Sequence, residues 1–177
     1  MKIVLPFLTG ILLLVCSCNN SEEIKAKADE PETKAEAPAK RIKNNIKLET
    51  KGVVVSQAFL LYENGQLVPD NNETAVGEPL NLRLVVDKGW TEKEGNVSLG
   101  ASERIETPDG KLVLDEKDLF ENTPIDADAA HLLTLTAVIS RLGRLYDYFL
   151  VRFHVWDKNG SGEINGSYKL FIKGSSS

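Results

Sequence analysis

Asp157, Asn159 and Ser161 set oxygen-bearing side chains at alternate positions of one glycine-rich stretch, Asp157-Lys158-Asn159-Gly160-Ser161-Gly162-Glu163-Ile164-Asn165. Such spacing lets a tight loop wrap a hard cation, because alternate oxygens line one side of the curve and glycine takes the sharp bend. In that chemistry Asp157, Asn159 and Ser161 would be side-chain ligands of a calcium ion. The Glu163 carbonyl and Asn165 would fill the following positions. Two features oppose it: the twelfth position is Tyr168 where a bidentate Glu belongs, and both flanks have strand rather than helix character. The competing expectation is a plain hairpin loop, whose Asp, Asn and Gly accept the backbone angles of a turn. Calcium is the one cofactor in question, and no other is expected.

Catalytic chemistry is poorly served. His131 and His154 are the two histidines, and neither sits in an H-x-x-H or H-E-x-x-H spacing suited to zinc. There is no G-x-S-x-G nucleophile turn and no G-x-x-x-x-G-K-[ST] phosphate loop. Carboxylates are frequent between Glu103 and Asp128, but a solvated acidic edge accounts for them better than a general acid/base pair. A hydrolase has no nucleophile or metal site here, so the chain is expected not to be an enzyme.

Binding chemistry has a clearer candidate. From Tyr146 to Lys173 the chain alternates as two long antiparallel strands joined by the glycine-rich turn. Phe149, Val151, Phe153 and Val155 point to one side, with Tyr168, Leu170 and Ile172 from the second strand. Tyr148, Leu150, Arg152, His154 and Trp156 point to the other, beside Lys169, Phe171 and Lys173. If the first set fills a core, the second is an outward face of aromatic rings and cations, the composition of surfaces that bind proteins or stack sugar rings. Tyr148, Arg152, His154, Trp156 and Phe171 are the candidate contacts, with Trp90 as a second indole. The alternative is that another segment covers this face, or that its apolar residues are exposed without consequence.

A lone hairpin is unstable in water, so the rest of the chain must supply strands to cover it. Val53 to Tyr62 is β-branched and aromatic, and Glu63-Asn64-Gly65 closes it with a turn. Leu80, Leu82, Leu84 and Val86 alternate with Asn81, Arg83, Val85 and Asp87. Val97, Leu99, Ala101 and Ile105 follow the Trp90 loop, with a bulge expected between Gly100 and Ser102. Pro108-Asp109-Gly110 turns into a short strand at 111–114, Asp115 is placed to cap one helical turn through Phe120, and 131–140 is a further strand. About seven strands with no helix-length amphipathic segment argue for an all-β, antiparallel two-sheet sandwich.

The order of GEPLNLRLVV, LTLTAVIS and YFLVRFHVWDKNG…GSYKLFI over about residues 50–173 resembles the bacterial immunoglobulin-like modules. That resemblance is one of strand pattern. It implies that the Trp90 loop and the loop after Trp156 lie at one end of the sandwich. It departs from antibody domains by having no inter-sheet cysteine pair and by placing Trp90 in a loop.

The N-terminus speaks to location. Met1-Lys2 and the apolar run from Ile3 to Val15 are too short to span a bilayer and lead into small residues, as a secretory signal peptide over 1–17 would. Val15-Cys16-Ser17-Cys18 resembles a bacterial lipobox, with Ser17 before the acceptor Cys18. The resemblance implies cleavage before Cys18 and its acylation, palmitate included, and two or more chains make such anchoring stable. Asn19-Asn20-Ser21-Glu22-Glu23 resembles the start of the tether in surface lipoproteins of Bacteroidota, which implies the outer membrane. From Cys18 to about residue 45 the chain is Ala, Glu, Lys and Pro with almost no large apolar side chain, the composition of a disordered tether. No cysteine follows residue 18, so the sandwich over 46–177 must be held by its core alone.

From Ile46 onward 14 Lys and Arg face 20 Asp and Glu, a net charge of −6. That surface repels phosphate backbones, and nucleic acid is not an expected partner. The expectation is a lipid-anchored protein of the bacterial envelope: a non-catalytic binding or accessory module for another envelope protein. The alternative is a carbohydrate-binding sandwich working through Trp90 and Trp156.

Overall fold

A computed structural model of the chain describes residues 40–140, 144 and 146–173. The signal segment, Cys18, the tether up to residue 39 and the terminal 174–177 lie outside the described residues. So do 141–143 and 145 in the connection before the last hairpin.

Thirteen strands and one 3-10 turn make up the described part. They are β1 Arg41–Ile42, β2 Lys47–Lys51, β3 Val54–Tyr62, β4 Glu73–Thr74, β5 Leu80–Lys88, β6 Glu92–Lys93 and β7 Asn96–Val97. There follow β8 Leu99–Glu106, β9 Leu112–Glu116, β10 Ile125–Asp126, the 3-10 turn Ala129–His131, β11 Leu132–Ala137, β12 Phe149–Asp157 and β13 Glu163–Ile172. One sheet runs β1-β3-β5-β11 and the other β2-β13-β12-β8-β9, with β4 added to the edge of β13. A small sheet, β10-β7-β6, closes one end. All pairings are antiparallel except β1 with β3 and β4 with β13.

The fold is therefore an all-β sandwich, as the alternation implies. Its first sheet holds β3, β5 and β11 as first, second and fifth principal strands. The other holds β8, β12 and β13 as third, sixth and seventh. That is the immunoglobulin-like order, with the fourth strand, β9, joined to β8 instead of to β11. Leu80, Leu82, Leu84 and Val86 of β5 are fully buried, facing Phe149, Val151, Phe153 and Val155 of β12 and Tyr168, Leu170 and Ile172 of β13. Each such side chain contributes about 1.5–3 kcal/mol on burial, in a domain without a disulfide.

Four details differ from the sequence expectation. The sandwich takes in residues assigned to the tether: Arg41 and Ile42 pair with Gln57 and Ala58, and Asn44 is 1% exposed. The additional strand β2 covers the edge of β13, pairing Lys47–Lys51 with Glu163–Ser167. Asp115 caps no helical turn; it lies in β9 opposite Arg104, because edge pairing to β8 outweighs a weak capping signal. The bulge is not at Gly100–Ser102, where the β8–β12 ladder is regular, but in the β8–β9 pairing between Ile105 and Glu106.

Glu103 is an exception within the core. It is 2% exposed, flanked across the ladders by Phe153 and Glu116, and neither carboxyl oxygen has a hydrogen-bond partner among the described residues. Burial pushes its pKa up to about 7. The Tyr168 hydroxyl is likewise buried without a partner, and burial first, then the Glu103 charge, raises it well above the usual phenol value.

Candidate functional site

The outward face of the β13-β12-β8 sheet is where the sequence candidates meet. Strand alternation puts Leu150, Arg152, His154 and Trp156 on it, all half-buried except the exposed Arg152. Register then sets their neighbours. His154 lies between Ser102 and Asn165, Arg152 between Arg104 and Ser167, and Trp156 between Gly100 and Glu163.

Aromatic groups gather at both ends of this face. At one end the His154 and Trp156 rings are 5.0 Å apart between centroids, and His154 Nε2 is buried with no hydrogen-bond partner among the described residues. The Trp156 ring fills the space that a side chain at Gly100 would take. At the other end Tyr148 and Phe171 approach to 6.2 Å, and the Lys169 ammonium sits 3.8 Å above the Tyr148 ring. Between them runs a hollow of about 550 Å³ whose charged wall is Lys47, Arg104, Lys117 and Arg152 with Glu49 and Asp115, beside His154. A hollow of about 390 Å³ beside Trp156 shares Ser102, Lys117 and His154 with it. A third of about 340 Å³ beside Phe171 shares Lys47 and Ser167. Together they form one trough along the sheet.

Arg104, Arg152 and Glu106 were not singled out as a group in the sequence, because only strand register brings them together. The two arginines stand directly opposite each other across the β8–β12 ladder. Arg104 donates its Nε–H to one oxygen of Glu106 at 2.7 Å, and Arg152 donates its Nε–H to the other at 3.3 Å. The hydrogen bond from Arg104, opposed by partial burial and reinforced by Arg152, holds the Glu106 carboxyl below its ordinary pKa.

Trp90 does not join this face. Its ring packs against the core and against Gly162, and its indole N–H is buried without an acceptor among the described residues. Its loop and the loop after Trp156 do share one end of the sandwich. Asp157 and Thr91, and Lys93 and Asn159, link them by hydrogen bonds. The two indoles nevertheless line no common hollow among those described.

The Asp157 loop is built as a hairpin turn. Asp157 is 6% exposed; one carboxylate oxygen accepts the Thr91 N–H at 2.7 Å and the other the Asn159 N–H at 2.8 Å. Its own N–H donates to the Gly162 carbonyl at 2.8 Å. The Asn159 side-chain oxygen accepts from the Lys93 ammonium at 3.2 Å. The Asp157 carboxylate and the Asn159 side-chain oxygen are thus engaged by two backbone donors and the Lys93 ammonium, with Ser161 in the same turn. Among the described residues no three His, Cys, Asp or Glu side chains cluster as metal ligands. His131 is engaged structurally, its Nδ1 lying 2.6 Å from the Val86 carbonyl.

Among the described residues no helix is long and apolar enough to cross a membrane. No known family model matches the chain, and no curated protein is significantly similar to it.

Proposed function

We propose that the protein is a non-catalytic binding module of the bacterial envelope. Acylation of Cys18 would hold it at the outer membrane, and its outer sheet face would dock another envelope protein. The observation that carries this reading is the trough along β12 and β13, with His154 and Trp156 at one end and Tyr148 and Phe171 at the other. Residues 148 to 156 of an extended strand span roughly 25 Å at about 3.3 Å per residue, a length suited to a protein segment. Half-buried rings at both ends supply the anchors on which such interfaces depend.

The test is crosslinking of the acylated protein in its own cells, followed by mass spectrometry, beside a Trp156→Ala, Phe171→Ala variant shown to fold by its melt. Loss of a crosslinked partner from the variant is the expected result. Identical profiles would remove this face from the reading.

A glycan reading is favoured by one observation, the hollow that Trp156 and His154 line with Ser102, Lys117 and Glu163. It rests on Trp156 alone, since Trp90 is engaged with Gly162. A soluble glycan that raises the melting temperature of the wild type but not of Trp156→Ala would establish it, and no shift across a broad glycan panel would end it.

A further inference from the structure

Like charges directly opposite on adjacent strands destabilise a sheet. Arg104 and Arg152 are such a pair, in mid-sheet, on a face where polar neutral residues would serve folding better. One carboxylate, Glu106, holds both, and it lies beneath them: its side chain is 16% exposed, against 47% for Arg104 and 57% for Arg152. Each arginine is bound to Glu106 through Nε. The terminal amino groups of both guanidiniums are in no hydrogen bond among the described residues, and they carry the planar donor fork that matches a carboxylate. Asp115, opposite Arg104 on the β9 side, is bound by Lys117 at 2.6 Å, and Lys47 and Glu49 line the wall together. The excess positive charge at the hollow is therefore that of the two arginines over Glu106, in a domain whose net charge from Arg41 onward is −4. Lys47, exposed and in no ion pair among the described residues, stands on the wall of the same hollow.

We infer that Arg104 and Arg152, positioned by Glu106, form a carboxylate-binding fork at the middle of the trough, and that the segment docking there is an acidic stretch of a partner protein. This rests on the proposed role of the outer face and adds the chemistry of its occupant. The carboxylate group is chosen over a sugar ring because the fork lies in the middle of the trough, whereas the indole is at its end with Gly100 beneath the ring.

Fluorescein-labelled hexaglutamate is the probe, titrated by anisotropy against the folded domain. The net negative charge of the domain disfavours indiscriminate binding of a polyanion, so any binding reports a local site. Binding that weakens about tenfold or more in Arg104→Gln, Arg152→Gln is the expected result, with loss as salt rises. Lys88→Gln removes an exposed cation of β5, on the other sheet, and is expected to change binding less than twofold, on the order of 0.4 kcal/mol. No binding, equal binding by the arginine variant, or an equal loss in Lys88→Gln would overturn the fork. Tighter binding of oligogalacturonate than of hexaglutamate would overturn the protein segment in favour of an acidic glycan. Running the arginine variant in the cellular crosslinking experiment separates the two readings. A partner lost with Trp156→Ala, Phe171→Ala but kept with the arginine variant retains the outer face and sinks the fork, whereas a profile unchanged by either sinks both.

Discussion

Asn44 donates its side-chain amide to the Asn72 side-chain oxygen at 3.0 Å, and Asn72 donates its own amide back to the Asn44 backbone carbonyl at 2.8 Å. Both residues are buried, at 1% and 2% exposure, and both hold a left-handed backbone conformation. The pair binds outward as well. Asn44 receives the Leu60 N–H and donates to the Val68 and Pro69 carbonyls, while Asn72 donates to the Lys169 carbonyl. Four separate segments are thereby tied at one corner, where the chain enters the sandwich.

Asn44→Ala removes the amide at the centre of that clasp and leaves the buried Leu60 N–H and Asn72 oxygen without partners. Each stranded group costs about 1–3 kcal/mol, and an alanine at positive φ adds about 1 kcal/mol. The expected loss is roughly 3–5 kcal/mol in urea unfolding, with an unchanged dependence on denaturant. A loss under about 1 kcal/mol would mean that the clasp contributes no more than a surface turn.

The Asp157 loop is expected to ignore calcium. Melting temperatures in chelator and in millimolar calcium should coincide, because both carboxylate oxygens already serve the Thr91 and Asn159 N–H groups. Asp157→Ala breaks both bonds and should destabilise the domain by about 2–4 kcal/mol whether or not calcium is present. A melting temperature that rises with calcium in the wild type and not in Asp157→Ala would reverse this account.

Gly100 lies opposite Trp156, and a methyl group there would fall within the indole. Gly100→Ala is therefore expected to push the ring off the sheet and cost about 1–3 kcal/mol, the range for overpacking. Its signature is a red shift of tryptophan emission as Trp156 meets water. Trp90, held against Gly162, should keep its contribution. Unchanged emission with an unchanged melt would show that the ring has room to move aside at no cost.

The sandwich was legible wherever a strand buries one face completely. In β5, β12 and β13 apolar residues fall at every second position, and burial follows that period. The outer face was legible for the same reason, since Arg152, His154 and Trp156 occupy the complementary positions. Pairings between distant strands were not. Arg104 looks like an ordinary surface cation until register places it against Arg152, and register is set by turns and bulges such as the one at Ile105/Glu106. Asn44 and Asn72 carry the composition of loops, and nothing local signals that they bond each other across 28 residues. Asp115 shows the opposite error, a local capping signal overridden by an edge pairing to β8.

Glu103 gives the domain a dependence on pH that runs against the usual one. Its folded-state pKa of about 7 lies above the ordinary 4.5, so the folded protein keeps a proton that the unfolded chain releases. Stability from this group is full below about pH 4.5, falls as pH rises, and is gone above about pH 7. The span amounts to about 3 kcal/mol. Half-buried carboxylates such as Glu106 and Asp118, whose values are lowered, contribute in the opposite direction, so the comparison must be between variants. Glu103→Gln stays neutral at every pH with nearly the same shape. Urea unfolding should find it close to wild type near pH 5 and more stable by up to about 3 kcal/mol near pH 8. A constant difference across that range would show that Glu103 is ionised in the folded protein throughout, satisfied by a partner such as buried water.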